Sequence, residues 1–210
     1  QRHGKHHRTQ MNKKQENKKW FDKWSETYDR FLFKRWMWYW QDKTIAEIPA
    51  RSKSILEIAC GTGIGTEKVA KKFPNAQVFA IDLSQGMIRK ARKRLKRYKN
   101  VRVQIGDVEH LPFQKRFDFL FCTESFHHFP NPTKAISEMS RVTKQGGLIA
   151  VTDINILPLF LSDILFKLEP GFVHMYSRKR FQSFFTKAGL RVEKQKRIGL
   201  FALMTLGRKQ

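Results

Sequence analysis

One stretch limits the possible folds of this chain more than any other: Ile55-Leu56-Glu57-Ile58-Ala59-Cys60-Gly61-Thr62-Gly63-Ile64-Gly65. An apolar run ends in a glycine-rich turn and then opens into helical spacing at Val69, Ala70 and Phe73. That order reads as buried strand, tight turn and helix start. Glycines let a ligand approach a backbone with no Cβ in the way, and the helix beyond them begins with unpaired N–H groups. The next apolar run, Val78-Phe79-Ala80-Ile81, ends on Asp82. In a parallel sheet Asp82 comes to lie beside the glycine turn, where a carboxylate can accept the two hydroxyls of a ribose.

From residue 53 to residue 153 the pattern alternates. Strands are predicted at Ser54–Ala59, Gln77–Asp82, Val101–Ile105, Phe117–Cys122 and Gly147–Asp153, and helices at about Gly65–Phe73, Gln85–Tyr98 and Thr133–Thr143. Such alternation implies an α/β fold with a mostly parallel sheet and helices on both faces. Ligands of these sheets sit at the carboxyl ends of the strands. Beyond the sheet core, Ser177 starts a helix through Phe181, Phe184 and Phe185 that Gly189 stops. Leu190–Arg197 and Leu200–Leu206 then read as a closing hairpin turned at Ile198-Gly199.

The chain outside this core divides unevenly. Residues 1–19 are polar, basic and aperiodic, and are expected to be a disordered tail. Residues 20–48 carry Trp20, Trp24, Tyr28, Phe31, Trp36, Tyr39 and Trp40 at helical spacing, which predicts one or two amphipathic helices. They would pack on the domain as core, cover a ligand as a lid, or lie on a membrane. Residues 49–210 make up the main domain, and the apolar, aperiodic segment 154–176, with Pro158 and Pro170, suits an insertion beside a substrate pocket.

Composition limits the classes of partner. Forty-two Lys and Arg face eighteen Asp and Glu, a formal net charge of +24. That field attracts polyanions, but it is equally compatible with solvated basic faces. The helix around Arg89–Lys99 concentrates it, either as an outer face or as a patch for phosphates. The apolar run Ile154–Phe166 contains Asp163 and is shorter than the roughly 20 residues a membrane span requires. No pattern suggests a secretory signal. Two cysteines, Cys60 and Cys122, imply neither a disulfide framework nor a metal site. The expected setting is the cytoplasm, with peripheral membrane contact as a further option.

The spacing Gly61-x-Gly63-x-Gly65 departs from the dinucleotide fingerprint, and Glu57, within the strand, would repel a pyrophosphate. In order, the blocks Ile55–Gly65, Ala80–Ser84, Gly106–Phe113, Phe117–Phe129 and Arg141–Gly147 resemble those of class I S-adenosylmethionine-dependent methyltransferases of the type 11 group. Gln145 stands where that group usually has proline. The resemblance implies a Rossmann-like, seven-stranded, mostly parallel sheet with an antiparallel last strand. S-adenosyl-L-methionine is the implied cofactor. It further implies that Glu57, Gly61 and Gly63 contact the methionine part of that cofactor and that Asp82 accepts the ribose hydroxyls. Leu83, Met87, Asp107 and Val108 would surround the adenine, and Thr123 would face the sulfonium.

Tyr28, Trp24 and Tyr176 are available as aromatic faces for the sulfonium cation. His127 and His128, after the fourth strand, and Tyr28 are the catalytic candidates; a histidine suits a proton acceptor near neutral pH, and would equally suit a helix cap. No Asp/Asn-Pro-Pro-aromatic run follows the fourth strand, where Cys122-Thr123-Glu124-Ser125 stands, and this argues against methylation of nucleic-acid bases. Trp24–Asp29 is similar to the entry of ubiquinone/menaquinone-biosynthesis methyltransferases. The expected acceptor is therefore a small or lipid-like molecule. The alternatives are an RNA or protein methyltransferase, or a non-catalytic module of the same fold.

Overall fold

In the computed structural model residues 2–27, 34–114, 116–156 and 172–210 are described. Their strands are β1 (Ser54–Ile58), β2 (Gln77–Asp82), β3 (Val101–Ile105), β4 (Phe117–Thr123), β5 (Thr143–Ile154), β6 (Leu190–Ile198) and β7 (Ala202–Lys209). They form a seven-stranded sheet in the order β3-β2-β1-β4-β5-β7-β6. Strand β7 is antiparallel to both neighbours, and β1 to β5 pair in parallel. The order reverses direction between β1 and β4, so their carboxyl ends form the crevice where a ligand can enter.

The strands read as apolar because both faces are covered. Alternate residues point to opposite sides. Leu56, Ile58, Leu120 and Ile149 pack on one side with α5 (Pro132–Val142) and α6 (Arg178–Lys187). Ile55, Val78, Phe119 and Ala150 pack on the other with α2 (Lys34–Ile45), α3 (Ile64–Lys72) and α4 (Gln85–Leu95). Helix starts follow local chemistry. Ser84 Oγ accepts from Met87 N at 3.1 Å, Asn131 Oδ1 accepts from Lys134 N at 3.0 Å with Pro132 following, and Ser177 Oγ accepts from Arg180 N at 3.2 Å. The closing hairpin turns at Gly199, which has φ +62°.

The first segment differs from the sequence expectation. Helix α1 runs over Arg2–Trp24, across most of the tail expected to be disordered. The docking of its tail part, at Lys14 and Asn17, is polar, so hydrophobic periodicity does not signal it. Lys14 Nζ donates to Asp107 at 2.8 Å and to Glu109 at 2.6 Å. Asn17 Nδ2 donates to the His128 carbonyl at 2.9 Å. Asp22 Oδ1 accepts from Ser84 Oγ at 2.6 Å and from Gly86 N at 2.8 Å, at the start of α4. Tyr28 and most of the 154–176 insertion lie outside the described residues. No described helix is long and apolar enough to cross a membrane.

Candidate functional site

Above the carboxyl ends of β1, β2 and β4 lies a cavity of about 800 Å³. Its floor is the glycine turn. Ala59 and Gly61 both adopt φ +53°, which swings the chain off β1 and leaves Gly61 on the cavity wall without a side chain. The other two glycines of the motif work elsewhere. A Cβ on Gly63 would sit 2.9 Å from Leu95 Cδ1 of α4, and one on Gly65 would run into Glu57 Oε1. Gly63 therefore serves the packing of the turn on α4, and it does not line the cavity.

Asp82 ends β2 on the cavity wall. Its Oδ2 accepts from Gly61 N and its Oδ1 from Ser84 N, each at 2.8 Å. Burial pushes its carboxyl up to about 6; the two backbone N–H groups oppose that shift and Asp22 adds to it. Each oxygen retains lone-pair capacity for a ligand hydroxyl. Leu83 and Met87 continue this wall, and Gly106, Asp107 and Val108 come in from the end of β3. Asp107 is held differently. Burial disfavours its charge, but Lys14 and the Glu109 N–H overcome that cost and keep it below the usual carboxylate range.

Glu57 is buried behind the turn, 1% exposed, and does not line the cavity. It accepts the Thr66 hydroxyl of α3. Burial pushes it up to about 8, against the Thr66 hydrogen bond and with help from Asp82. Thr123, at the end of β4, lines a smaller cleft that branches off the cavity.

His127 and His128 lie on the short 3-10 turn Phe126–His128, and both line the cavity. Asp153, at the end of β5, holds His127 in two ways: Oδ2 accepts the His127 backbone N–H and Oδ1 pairs with Nδ1, both at 2.7 Å. With Asp153 ionised, Nδ1 carries the proton, and Nε2 is the nitrogen able to accept one. Both side chains are almost fully buried. His128 packs against His127 with ring centroids 4.0 Å apart and the rings tilted by 47°, and meets the Phe21 ring edge-on at 5.0 Å. Asp153 obeys the rule that flagged the other acids, a carboxylate at the carboxyl end of a parallel strand, but no motif surrounds it.

Helices α1 and α2 line the cavity with Trp20, Phe21, Trp24, Met37 and Trp40. Tyr176 is not part of the cavity. It packs against Phe126, Phe181 and Phe184 at 5.1–5.9 Å in the core, which removes it as an aromatic face for the ligand. Among the described residues no group of three or more His, Cys, Asp or Glu could hold a metal ion.

The chain is similar in sequence to known methyltransferases. A family model described as a methyltransferase domain matches residues 55–147. Malonyl-[acyl-carrier protein] O-methyltransferase 2 of Ilyobacter polytropus is 33% identical over 142 residues, which cover 66% of this chain and 53% of that protein. Demethylmenaquinone methyltransferase of Thermobifida fusca is 34% identical over 125 residues, covering 58% and 52%. The chain thus spans about half the length of the curated relatives it matches. Among solved structures, a chain from the complex of the Haloferax volcanii Trm112 methyltransferase activator superposes with TM-score 0.80 at 19% identity, covering 90% of this chain and 96% of that one. That likeness concerns the fold alone.

Proposed function

We propose that this chain, which belongs to the class I S-adenosylmethionine-dependent methyltransferases, moves a methyl group onto a small or lipid-like acceptor. The observation that carries the reading is that Asp82 and the His127–Asp153 pair line one largely apolar cavity. The cavity has the size of known small-molecule sites, roughly 300–1,000 Å³. It also fits the cofactor chemically: a carboxylate for ribose hydroxyls at Asp82, a wall with no Cβ at Gly61, apolar cover at Leu83, Met87 and Val108, and a buried acceptor with no partner, Glu124 Oε1. When bound, that cofactor supplies a methyl group already activated as an electrophile.

The chain's own residues then place, shield and deprotonate. Asp82 fixes the nucleoside end, and Asp107 offers its carboxylate at the neighbouring strand end. Trp20, Phe21, Trp24 and Trp40 keep water from the reacting atoms. Holding acceptor and methyl in line can contribute about 7–11 kcal/mol of barrier lowering. His127 Nε2 takes the acceptor's proton, and Asp153 stabilises the imidazolium that forms. His128 packs between His127 and Phe21 and positions both.

The relatives named for malonyl-[acyl-carrier protein] and demethylmenaquinone support a small or lipid-like acceptor. The basic outer face of α4 suits an anionic membrane surface where such an acceptor would be met. The test is incubation with methyl-labelled cofactor and separate lipid, small-molecule, RNA and protein fractions. Label in the lipid or small-molecule fraction is the expected result. Label confined to RNA or protein overturns the choice of acceptor.

A further inference from the structure

Four large apolar side chains are exposed among the described residues: Trp38, Tyr39, Ile105 and Leu200. One such residue alone needs no explanation, but these four share one side of the molecule, the side of the cavity. Ile105 ends β3 and Leu200 follows β6. Strand β6 points the same way as β1 to β5, because β7 runs antiparallel to both its neighbours. Trp38 and Tyr39 stand more than one helical turn before Thr44, whose hydroxyl bonds that of Thr152 near the carboxyl end of β5 at 2.7 Å. Trp38 also lines a cleft beside the glycine turn that follows β1. Strands β3 and β6 are the two edges of the sheet. At roughly 4.8 Å per strand the outer tips are about 29 Å apart, a spread that suits a broad surface better than a single groove.

Leu200 is held out by design of its turn. It is the most exposed of the four, at 72%, yet its backbone is tied down. Gly199 takes φ +62°, and Arg197 donates to the Leu200 carbonyl and, at 3.0 Å, to Asn155 Oδ1. Phe201, next in the chain, lines the cavity.

The same side carries cations. Helix α1 lies across it, with Lys14 on Asp107 after β3 and Asn17 on His128 after β4. Lys19 and Lys23 of α1 are exposed, as is Arg89 near the start of α4. Lys43 Nζ sits 5.1 Å from the Tyr39 ring centroid. Aromatic rings beside cations are the residue types of a membrane–water boundary. A net charge of +24 draws the chain to an anionic surface, and each basic residue near that surface adds about fivefold in affinity.

We propose that the carboxyl-end side of the sheet docks on an anionic membrane, with Tyr39, Ile105 and Leu200 dipping into the headgroup boundary and Lys19, Lys23 and Arg89 meeting lipid phosphates. The basic flank of α4 starts at this side and adds attraction at longer range. The proposal deepens the methyl-transfer reading and rests on it in one respect: the acceptor is then a membrane-resident amphiphile that enters beside Phe201 without crossing water.

Vesicle co-sedimentation of the whole chain tests this, with phosphatidylcholine alone and with about one third phosphatidylglycerol. The wild type is expected to bind the anionic vesicles about tenfold or more tighter than the neutral ones. Tyr39→Ser with Leu200→Asp should lose about tenfold, and Lys19→Glu with Lys23→Glu about tenfold or more, each with an unchanged thermal melt. Cys60 and Cys122 are buried, so a thiol-directed, polarity-sensitive dye reads one added position at a time. Its emission should shift to the blue on vesicles at Leu200→Cys and stay fixed at Lys99→Cys, which precedes β3 at the opposite end. Equal shifts at both positions, no preference for anionic vesicles, or full binding by the Tyr39→Ser, Leu200→Asp chain overturns the docking face. Binding to an RNA duplex with none to vesicles overturns it as well. Calorimetry with S-adenosylhomocysteine keeps the two readings apart: vesicle binding without affinity for this nucleoside supports the docking face and removes its link to methyl transfer.

Discussion

Asp82 and Asp107 stand at the carboxyl ends of adjacent strands on one cavity wall, and the chain holds them in opposite ways. Asp82 belongs to the sheet. Backbone N–H groups of Gly61 and Ser84 hold it, and burial pushes it up to about 6. Asp107 depends on the cover: Lys14 of α1 reaches over to it and to Glu109, and the pairing outweighs the cost of burial. One aspartate is therefore held by the sheet's own backbone, and the charge of the other is balanced by α1. Groups held by the sheet should fail in binding or chemistry when changed. Groups held by α1 should fail in docking and order.

The largest expected effect lies with the sheet-held pair. His127→Asn should slow methyl transfer by about 10²–10⁴-fold and leave cofactor affinity within about threefold, as rapid-quench kinetics and calorimetry would show. A slow variant that has also lost the cofactor would mean that His127 serves binding. Next comes Asp82→Ala. It removes the two charge-assisted hydrogen bonds proposed to the ribose and should weaken cofactor binding on the order of 100-fold. Unchanged affinity would end the ribose assignment and, with it, the distinction between the two aspartates.

The same contrast predicts opposite pH behaviour. The folded value of Asp82 lies above its unfolded one, so the native state binds more protons between about pH 4 and 6. Its contribution to stability therefore falls as pH rises through that window. Asp107 is depressed in the folded chain, so its contribution is present above the unfolded value and lost as pH falls through the folded one. Relative to the wild type, Asp82→Asn should gain about 1–3 kcal/mol between pH 4 and 7. Denaturant melts of the cofactor-free chain at each pH measure it. A constant difference across the window would mean that Asp82 is not strained in the free site.

The sequence shows these two halves unequally. Strand, glycine turn and helix lie within a few residues of one another, so the alternation that makes a parallel sheet, the glycine turn at Gly61 and the placing of Asp82 at a strand end follow from local pattern, whereas Asp107 is implied only by the family resemblance and the strand order is a property of the whole fold. The motif does not say which glycine serves which purpose. Gly63 and Gly65 are small because Leu95 and Glu57 leave no room for a Cβ, a fact about packing across the fold. Asp153 escapes because a lone acid after an apolar strand has no flanking signature, and its role appears only once the 3-10 turn brings His127 beside it. Tyr176 misleads in the reverse direction: an aromatic near the right loop faces the core. Helix α1 is the least legible part. Lys14 reaches Asp107 across 93 residues and Asn17 reaches His128 across 111, and neither contact leaves any periodicity in a polar tail.

The smallest effect tests the cover most directly. Lys14→Met keeps the aliphatic stem and removes the charge that Asp107 and Glu109 share. Lys14 and Glu109 are mostly buried in this contact and Asp107 is more open. The loss should therefore exceed that of an exposed pair and stay below that of a fully buried one, about 1–2 kcal/mol. Because α1 packs on the domain as a separate element, the loss should be local. Amide exchange should quicken along α1 around Lys14 and Asn17, with β1, β4 and β5 unchanged. Two like charges then lose their buried counter-ion and keep only the exposed His110 contact at 3.5 Å, so Asp107 should titrate higher than in the wild type, and lowering the pH toward 4 should restore part of the lost protection. If exchange rises equally throughout the sheet, α1 is part of the core, and the division between a sheet-held and a cover-held half of the site does not stand.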